Sequence, residues 1–222
     1  MEPWYHVLKS ALLPPVKLWF NWRLEGLELI PADGPVIVAL NHISYLDPFA
    51  HGYFVVRAGR RPRFLGKAEL FDNRFTGWAL RGAGQIPVRR GTGDRTPLED
   101  AARALERGEA LLIYPEGTVT RNPDFSPMQA KTGLVRLALS TAAPVVPLAV
   151  WGSQHVWQKS GPGSLAFGRP VWLKAGPALD IPAEAGGADV NLDLLRRLTA
   201  LVMGELAGLV EDLRSRYPKR WG

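Results

Sequence analysis

Short apolar runs alternate with segments of helical periodicity from residue 24 to the end of the chain. Short runs of this kind are typical of buried strands, and the segments between them place apolar residues three or four positions apart, as amphipathic helices do. The predicted strands are 24–30, 36–40, 63–66, 85–88, 110–114, 145–150 and 171–174. Helices between short apolar strands predict an α/β fold with a mixed, mostly parallel sheet flanked by helices.

Five segments have the pattern of helices. They are 47–57, 72–82, 95–107, 130–142 and 190–215. The third segment has residues typical of a helix N-terminus, with Thr96 at the N-cap and Pro97 in the first turn. The last segment has leucine and valine on one side and charged residues on the other, so we expect it to pack on the sheet. The Gly- and Pro-rich stretches around 159–170 and 175–188 are predicted surface loops.

The first 23 residues differ from the rest because they are rich in aromatic residues and have few charges. Pro14 and Pro15 divide them into two short predicted helices. Trp and Tyr beside scattered lysines favour a membrane interface, so residues 1–23 are predicted to be an amphipathic membrane-anchoring segment. The alternative is that these aromatics pack on the core. No run of about 20 predominantly apolar residues, as a crossing helix needs, was found in the chain.

Composition narrows the classes of function. The 222 residues contain no cysteine, which excludes disulfides, thiol catalysis and cysteine metal sites. The four histidines are dispersed, so no metal site is predicted. A net charge of +6 makes an anionic partner plausible: nucleic acid, anionic lipid or a phosphorylated substrate. The usual aromatic and basic motif of nucleic-acid binders does not occur, which disfavours nucleic acid.

The first candidate site is the sequence Asn41-His42-Ile43-Ser44-Tyr45-Leu46-Asp47, directly after the apolar run 36–40. Residues five apart do not share a helix face, but His42 and Asp47 can meet across a turn. A carboxylate on one ring nitrogen would leave the other as a general base. A histidine that only braces a turn is the alternative.

Two further clusters lie at predicted strand ends. Arg89 and Arg90 end the strand 85–88, and an arginine there can bind phosphate through two parallel hydrogen bonds, although strands often end in arginine for solvation alone. Tyr114-Pro115-Glu116-Gly117-Thr118 follows the strand 110–114, with Arg121 close behind. Gly117 allows close approach to a ligand, and Glu116 can accept hydrogen bonds from substrate hydroxyls or fix an arginine; a plain tight turn is the alternative.

Together and in this order, the clusters resemble the glycerolipid acyltransferase family, especially bacterial 1-acyl-sn-glycerol-3-phosphate acyltransferases. The family motif N-H-x4-D is matched by Asn41, His42 and Asp47, and G-x-(I/F)-x-(I/V)-x-R is matched from Gly84 to Arg90. The string (F/Y)-P-E-G-T is matched at 114–118, and a V-x-P strand at 145–147. One departure is that the family often continues the third motif with Arg-Ser, whereas this chain has Val119-Thr120-Arg121.

The resemblance implies one acyltransferase domain at 24–222 that acylates 1-acyl-glycerol-3-phosphate from an acyl-CoA or acyl carrier protein thioester. His42 would be the base and Asp47 its orienting carboxylate, with no cofactor or metal. Arg90 or Arg89 would bind the acceptor phosphate, Glu116, Gly117 and Thr118 the glycerol part, and Arg121 is a further candidate for the phosphate. The implied location is peripheral, on the cytoplasmic face of the cell membrane. Open alternatives are another acceptor, or a basic membrane-binding protein without activity.

Overall fold

The computed structural model describes residues 14, 17–89, 96–158 and 161–221. The strands are β1 (Asn21–Glu25), β2 (Val36–Leu40), β3 (Pro62–Lys67), β4 (Ile86–Val88), β5 (Ala110–Ile113), β6 (Val145–Trp151), β7 (Trp157–Gln158), β8 (Gly161–Pro162) and β9 (Pro170–Ala175). The helices are α1 (Asp47–Arg57), α2 (Glu69–Asp72), α3 (Arg74–Gly82), α4 (Thr96–Glu106), α5 (Gly133–Thr141), α6 (Ile181–Ala185) and α7 (Leu192–Arg216).

Seven strands form one sheet in the order β1-β9-β6-β2-β5-β3-β4. The five strands from β6 to β4 run parallel, whereas β9 pairs antiparallel with β6 and parallel with β1. The predicted mixed, mostly parallel sheet flanked by helices is therefore confirmed. The carboxyl ends of the five parallel strands lie at one edge of the sheet, together with the first residues of β1 and β9.

The sheet is buried on both faces at its centre. Every residue of β2 and β6 is buried, as expected for parallel strands that are covered by helices on both sides. Val38 and Leu40 pack with Phe54 of α1, whereas Ile37 and Ala39 pack with α4, α5 and the first half of α7. Helix α7 docks through one buried stripe, as its sequence period predicts.

The prediction for the first strand was wrong in its position. The strand is β1, Asn21–Glu25, and a 3₁₀ turn at Leu27–Leu29 replaces the rest of the predicted run. Gly26 ends the strand with φ of +78°, and a Cβ there would lie 2.9 Å from the carbonyl oxygen of Ala175. Residues 21–23, assigned from sequence to the N-terminal helical segment, therefore belong to the sheet.

Other boundaries moved for local reasons. The predicted helix 72–82 is two helices, because the Asn73 side chain accepts hydrogen bonds from the amides of Phe75 and Thr76 and starts α3 anew. The predicted helix 130–142 begins at Gly133. The stretches predicted as loops contain the short hairpin β7–β8 and the helix α6.

The predicted interfacial segment 1–23 lies outside the described residues except for Pro14 and residues 17–23. Within the described ranges, no helix combines the length and the apolar character that a bilayer crossing requires.

Candidate active site

Three neighbouring parallel strands deliver the candidate residues to the same edge of the sheet. Asn41 and His42 follow β2, the turn 114–118 follows β5, and Ser153 follows β6. Parallel strands in this order place their carboxyl ends side by side, about 4.8 Å apart. Asp47 joins them from the first turn of α1.

Asp47 is completely buried and accepts hydrogen bonds on both carboxylate oxygens. Oδ2 accepts from the amides of Ile43 (2.6 Å) and Ser44 (2.7 Å) and lies 2.9 Å from His42 Nδ1. Oδ1 accepts from the Ser153 hydroxyl at 2.6 Å. An ionised carboxylate satisfies all of these donors at once, and it lies at the positive end of α1.

The His42 ring is held by Asp47 and Tyr114, and the His42 backbone by Thr120. Asp47 contacts Nδ1, and the ring of Tyr114 stacks on the imidazole with centroids 4.2 Å apart. The carbonyl oxygen of His42 accepts from the Thr120 amide at 2.7 Å. The side chain is 14% exposed. With Nδ1 engaged by Asp47, Nε2 is the nitrogen that can exchange a proton with a substrate.

The remaining polar residues of the first motif have structural roles. Asn41 donates to the carbonyl oxygen of Val150 at 3.0 Å and accepts from its amide at 2.8 Å, and so ties the end of β2 to β6. The Ser44 hydroxyl donates to the carbonyl oxygen of Trp157 at 2.6 Å and accepts from the Leu46 amide. A serine buried in these contacts is not placed to be a nucleophile.

The turn after β5 brings the Glu116 carboxyl close to His42. Gly117 has φ of +72°, and its amide donates to the carbonyl oxygen of Tyr114 at 2.9 Å. That amide is therefore already used and is not free to stabilise an oxyanion. Thr118 follows it, half-buried.

Glu116 is buried, and burial raises the pKa of its carboxyl to about 7. Oε2 accepts from the Met128 amide at 2.9 Å, and this bond acts in the opposite direction, as does the nearby amide of His42. Oε1 is buried and has no hydrogen-bond partner within the ranges that the structure describes. Instead of fixing an arginine, the carboxyl holds the loop at Met128 and keeps one oxygen unused.

The predicted arginines lie farther from the histidine. Arg89 follows β4 and is exposed. Three strand spacings, about 14 Å, separate β4 from β2. Continuing the strand pairings places Arg89 level with His42 and Glu116 along the strand direction. Arg90 lies outside the described residues, and Arg121 is exposed on the loop that follows the turn.

Three residues near the site were missed from sequence. Ser153 is separated from Asp47 by 106 positions, so no local pattern indicated their contact. His51 had a usable signal, because it lies four positions after Asp47 and shares its helix face. Lys131 approaches the turn, since a Cβ on Gly117 would lie 3.9 Å from its Nζ.

His51 and Tyr114 form a pair behind the catalytic candidates. His51 Nδ1 lies 3.0 Å from the Tyr114 hydroxyl, and His51 Nε2 is buried and unpaired within the described ranges. Burial lowers the pKa of His51 to about 4 and raises the pKa of Tyr114 well above its usual value. Both side chains are therefore neutral at pH 7.

No group of three or more His, Cys, Asp or Glu side chains within the described ranges is arranged to hold a metal ion. The Acyltransferase family profile matches residues 21–151, more than half of the chain. The chain belongs to the Acyltransferase family. The resemblance drawn from the four motifs is thereby confirmed.

Two relatives of this chain are named as lipid acyltransferases. A Brassica napus chloroplastic 1-acyl-sn-glycerol-3-phosphate acyltransferase is 29% identical over 74% of this chain and 47% of its own length. The lyso-ornithine lipid O-acyltransferase of Pseudomonas aeruginosa is 33% identical over 66% of this chain and 52% of its own. The chain thus spans about half the length of these two relatives.

A solved structure matches a larger share of this chain than these two relatives do. The 1-acyl-sn-glycerophosphate acyltransferase of Thermotoga maritima superposes with a TM-score of 0.67 at 26% identity, over 98% of this chain and 80% of its own. The shared fold therefore extends through α7, beyond the matched residues 21–151.

Proposed function

We propose that this protein transfers a fatty acyl group from an acyl-CoA or acyl carrier protein thioester to the free hydroxyl of 1-acyl-glycerol-3-phosphate, forming phosphatidic acid. The observation that carries the proposal is His42, partly exposed and held by Asp47 at the carboxyl edge of the sheet. The names of the Brassica and Thermotoga proteins support this acceptor.

The His42–Asp47 pair supplies the base. His42 Nε2 accepts the proton of the acceptor hydroxyl as the hydroxyl oxygen attacks the thioester carbonyl carbon. Asp47 holds the ring and stabilises the imidazolium that forms. The carbon–sulfur bond then breaks, and the imidazolium returns the proton to the departing thiolate. An ester and a free thiol are the products, and no acyl-enzyme is needed.

The acceptor phosphate is assigned to the cations on the β4 and β5 side of His42. Arg89 and Arg90 follow β4, Lys131 approaches Gly117, and Arg121 lies on the next loop. Glu116, whose Oε1 has no partner among the described residues, is the candidate for the glycerol part, together with Gly117 and Thr118.

An exposed apolar rim supports work at a membrane. Among the described residues, nine of the thirteen exposed large apolar side chains lie on loops and helix starts at the carboxyl edge of the sheet. We define the apolar rim as these residues: Leu18, Trp19, Tyr45, Phe49, Leu70, Phe75, Trp157, Leu165 and Phe167. They lie on both sides of His42 in the strand order. Exposed apolar surface around a site is typical of membrane or partner contact. We place the protein peripherally on the cytoplasmic face of the cell membrane, where both thioesters occur.

The test is thiol release from palmitoyl-CoA by purified protein in detergent, with and without lysophosphatidate. We expect release that depends on the acceptor and falls by about 10²-fold or more in His42→Ala. Arg196→Ala is the control, because it removes an exposed side chain near the start of α7, outside the candidate site. A folded His42→Ala protein with the wild-type rate would exclude His42 as the base.

The candidate phosphate arginines are tested in the same assay. Replacing Arg90 or Arg89 with alanine should raise the KM for lysophosphatidate.

A second acceptor class is favoured by one observation. The Pseudomonas relative is named for acylation of a lyso-ornithine lipid and not of an acylglycerol phosphate. The same assay with lyso-ornithine lipid, glycerol-3-phosphate and other lysophospholipids separates these acceptors. Silence with every acceptor, from folded protein that still binds lipid vesicles, would favour a basic membrane-binding protein.

A further inference from the structure

A cavity with a mainly apolar lining lies beside the candidate site, on the side away from Arg89. Its volume is about 350 Å³, and it opens between the end of β6, the end of α7 and the loop that contains Phe125. Its lining residues are Phe125, Trp151, Gln154, His155, Arg214, Tyr217 and Lys219. The site chemistry described above uses none of them.

Aromatic rings form the walls of this cavity. Phe125 meets Trp151 edge to face at 6.1 Å, and His155 stacks on Tyr217 at 5.7 Å. The Tyr217 hydroxyl donates to the carbonyl oxygen of Pro170 at 2.9 Å, which anchors the end of α7 to the start of β9. The walls are therefore held by contacts between separate elements of the fold.

Two cations line the cavity, and the Asp124 carboxylate lies near one of them, Arg214. Arg214 and Lys219 line it, and Lys219 has no ion-pair partner within the described ranges. The Glu211 carboxylate is the ion-pair partner of Arg214, at 3.8 Å with both side chains largely exposed, which makes the pair weak. Arg169 lies behind Tyr217, where its guanidinium covers the Trp221 ring, and its Nε is buried and unpaired among the described residues.

The cavity is close to the catalytic candidates but separate from them. His155 is two residues after Ser153, whose hydroxyl holds Asp47. Phe125 lies on the loop that begins at Thr120, whose amide donates to the His42 carbonyl. In the strand order, β6 adjoins β2 on one side, whereas β4 with Arg89 lies three strands away on the other. His42 thus stands between two cationic clusters.

We propose that this cavity binds the phosphate groups of the phosphopantetheine thioester donor. The inference rests on the proposed acyl transfer, in which both substrates carry phosphate. The acceptor phosphate is attached to the glycerol that reacts and needs cations near the turn 114–118, where Lys131 lies. The donor phosphates are separated from the thioester by the pantetheine arm. They therefore need cations at the same edge of the sheet but farther from His42, beyond Ser153, where Arg214 and Lys219 lie. Arg214 and Lys219 would pair with phosphate oxygens.

The test compares Arg214→Ala/Lys219→Ala with Arg196→Ala, which removes an exposed cation near the start of α7. We expect the double variant to raise the KM for palmitoyl-CoA by about tenfold. The kcat and the KM for lysophosphatidate should stay within about twofold of wild type. With S-palmitoyl-pantetheine, which has no phosphate, the variant and the wild type should be equal.

Binding of free coenzyme A, measured by calorimetry, gives a readout that does not need turnover. Affinity should fall by the same factor in the double variant and stay unchanged in Arg196→Ala. If the double variant loses affinity for coenzyme A but the wild-type protein shows no acyl transfer, the cavity is a coenzyme A site and the proposed function is wrong. The proposal would be overturned if the double variant kept the wild-type KM for palmitoyl-CoA and the wild-type affinity for coenzyme A. It would also be overturned if the KM for S-palmitoyl-pantetheine rose as much as the KM for palmitoyl-CoA. A rise confined to the KM for lysophosphatidate would overturn it as well and would assign the cavity to the acceptor phosphate.

Discussion

Asp47 combines two tasks in one side chain. The amides of Ile43 and Ser44 bind the same oxygen that faces His42, so the carboxylate closes the turn that brings the histidine to it. The spacing of five places the two residues across a turn and not on one helix face, where neighbours are three or four apart. Ser153 completes the arrangement from β6 and holds the second oxygen.

Glu116 is the residue whose protonation should affect stability near neutral pH. Burial raises the pKa of its carboxyl from 4.5 to about 7 in the folded protein. A raised folded pKa means that stability is fully present below pH 4.5 and is lost as the pH rises through 7. Above pH 7 the folded protein must hold a buried charge.

We therefore expect Glu116→Gln to be more stable than wild type by about 3 kcal/mol at pH 8. The amide oxygen of the glutamine can still accept from Met128, and the advantage should disappear below pH 4.5. Urea unfolding at pH 4.5, 6 and 8 measures this difference. Glu184→Gln, at an exposed position, should show no such trend; a constant offset for Glu116→Gln at all three pH values would contradict the prediction.

At the scale of elements, the join between β2 and β6 decides the site. These strands bring the loops of His42 and Ser153 together, and Asn41 continues their pairing one residue beyond β2. Its amide satisfies both backbone groups of Val150 in a region without solvent. The asparagine of the first motif is thus a structural link between two active-site loops.

Asn41→Ala should lower the free energy of unfolding by about 2–4 kcal/mol, because two buried backbone groups lose their partners. Asn73→Ala is a matched control, since its side chain caps α3 at the surface and its loss should cost about 1 kcal/mol. Urea titration of both variants tests the difference. Equal losses for the two asparagines would show that the Asn41 link adds nothing beyond an ordinary cap.

At the scale of the whole molecule, the carboxyl edge of the sheet carries the catalytic candidates, both cationic clusters and the apolar rim. Trp19 donates to the Leu165 carbonyl and meets Phe167 edge to face at 5.8 Å, so this part of the rim is ordered. Phe75 lies across the molecule on α3, 79% exposed. Contact along the whole edge would present a lipid acceptor directly to His42.

Phe75→Ser/Phe167→Ser should weaken binding to vesicles containing phosphatidylglycerol by about tenfold or more. Each substitution removes apolar side-chain area that the membrane would otherwise bury. Val190→Ser/Leu192→Ser removes two exposed apolar residues near the start of α7 and is the control. Vesicle sedimentation measures both. Equal binding by the rim variant and wild type, or an equal loss in the control, would remove the rim from membrane contact.

The sequence by itself determined what depends on local pattern. The apolar runs specified the strand positions at the centre of the sheet, because buried parallel strands are apolar on both faces. The pairing of His42 with Asp47 followed from one short turn, and the turn at Glu116 from Pro and Gly beside it.

The tertiary structure alone decided which distant residues meet. Ser153 reaches Asp47 across 106 positions, and the cavity joins residues from Phe125 to Lys219. The strand order sets these meetings, and no local sequence pattern specifies which strands become neighbours. Gly26 and Asn73 moved element boundaries because a single close contact or cap outweighs a continuous apolar pattern.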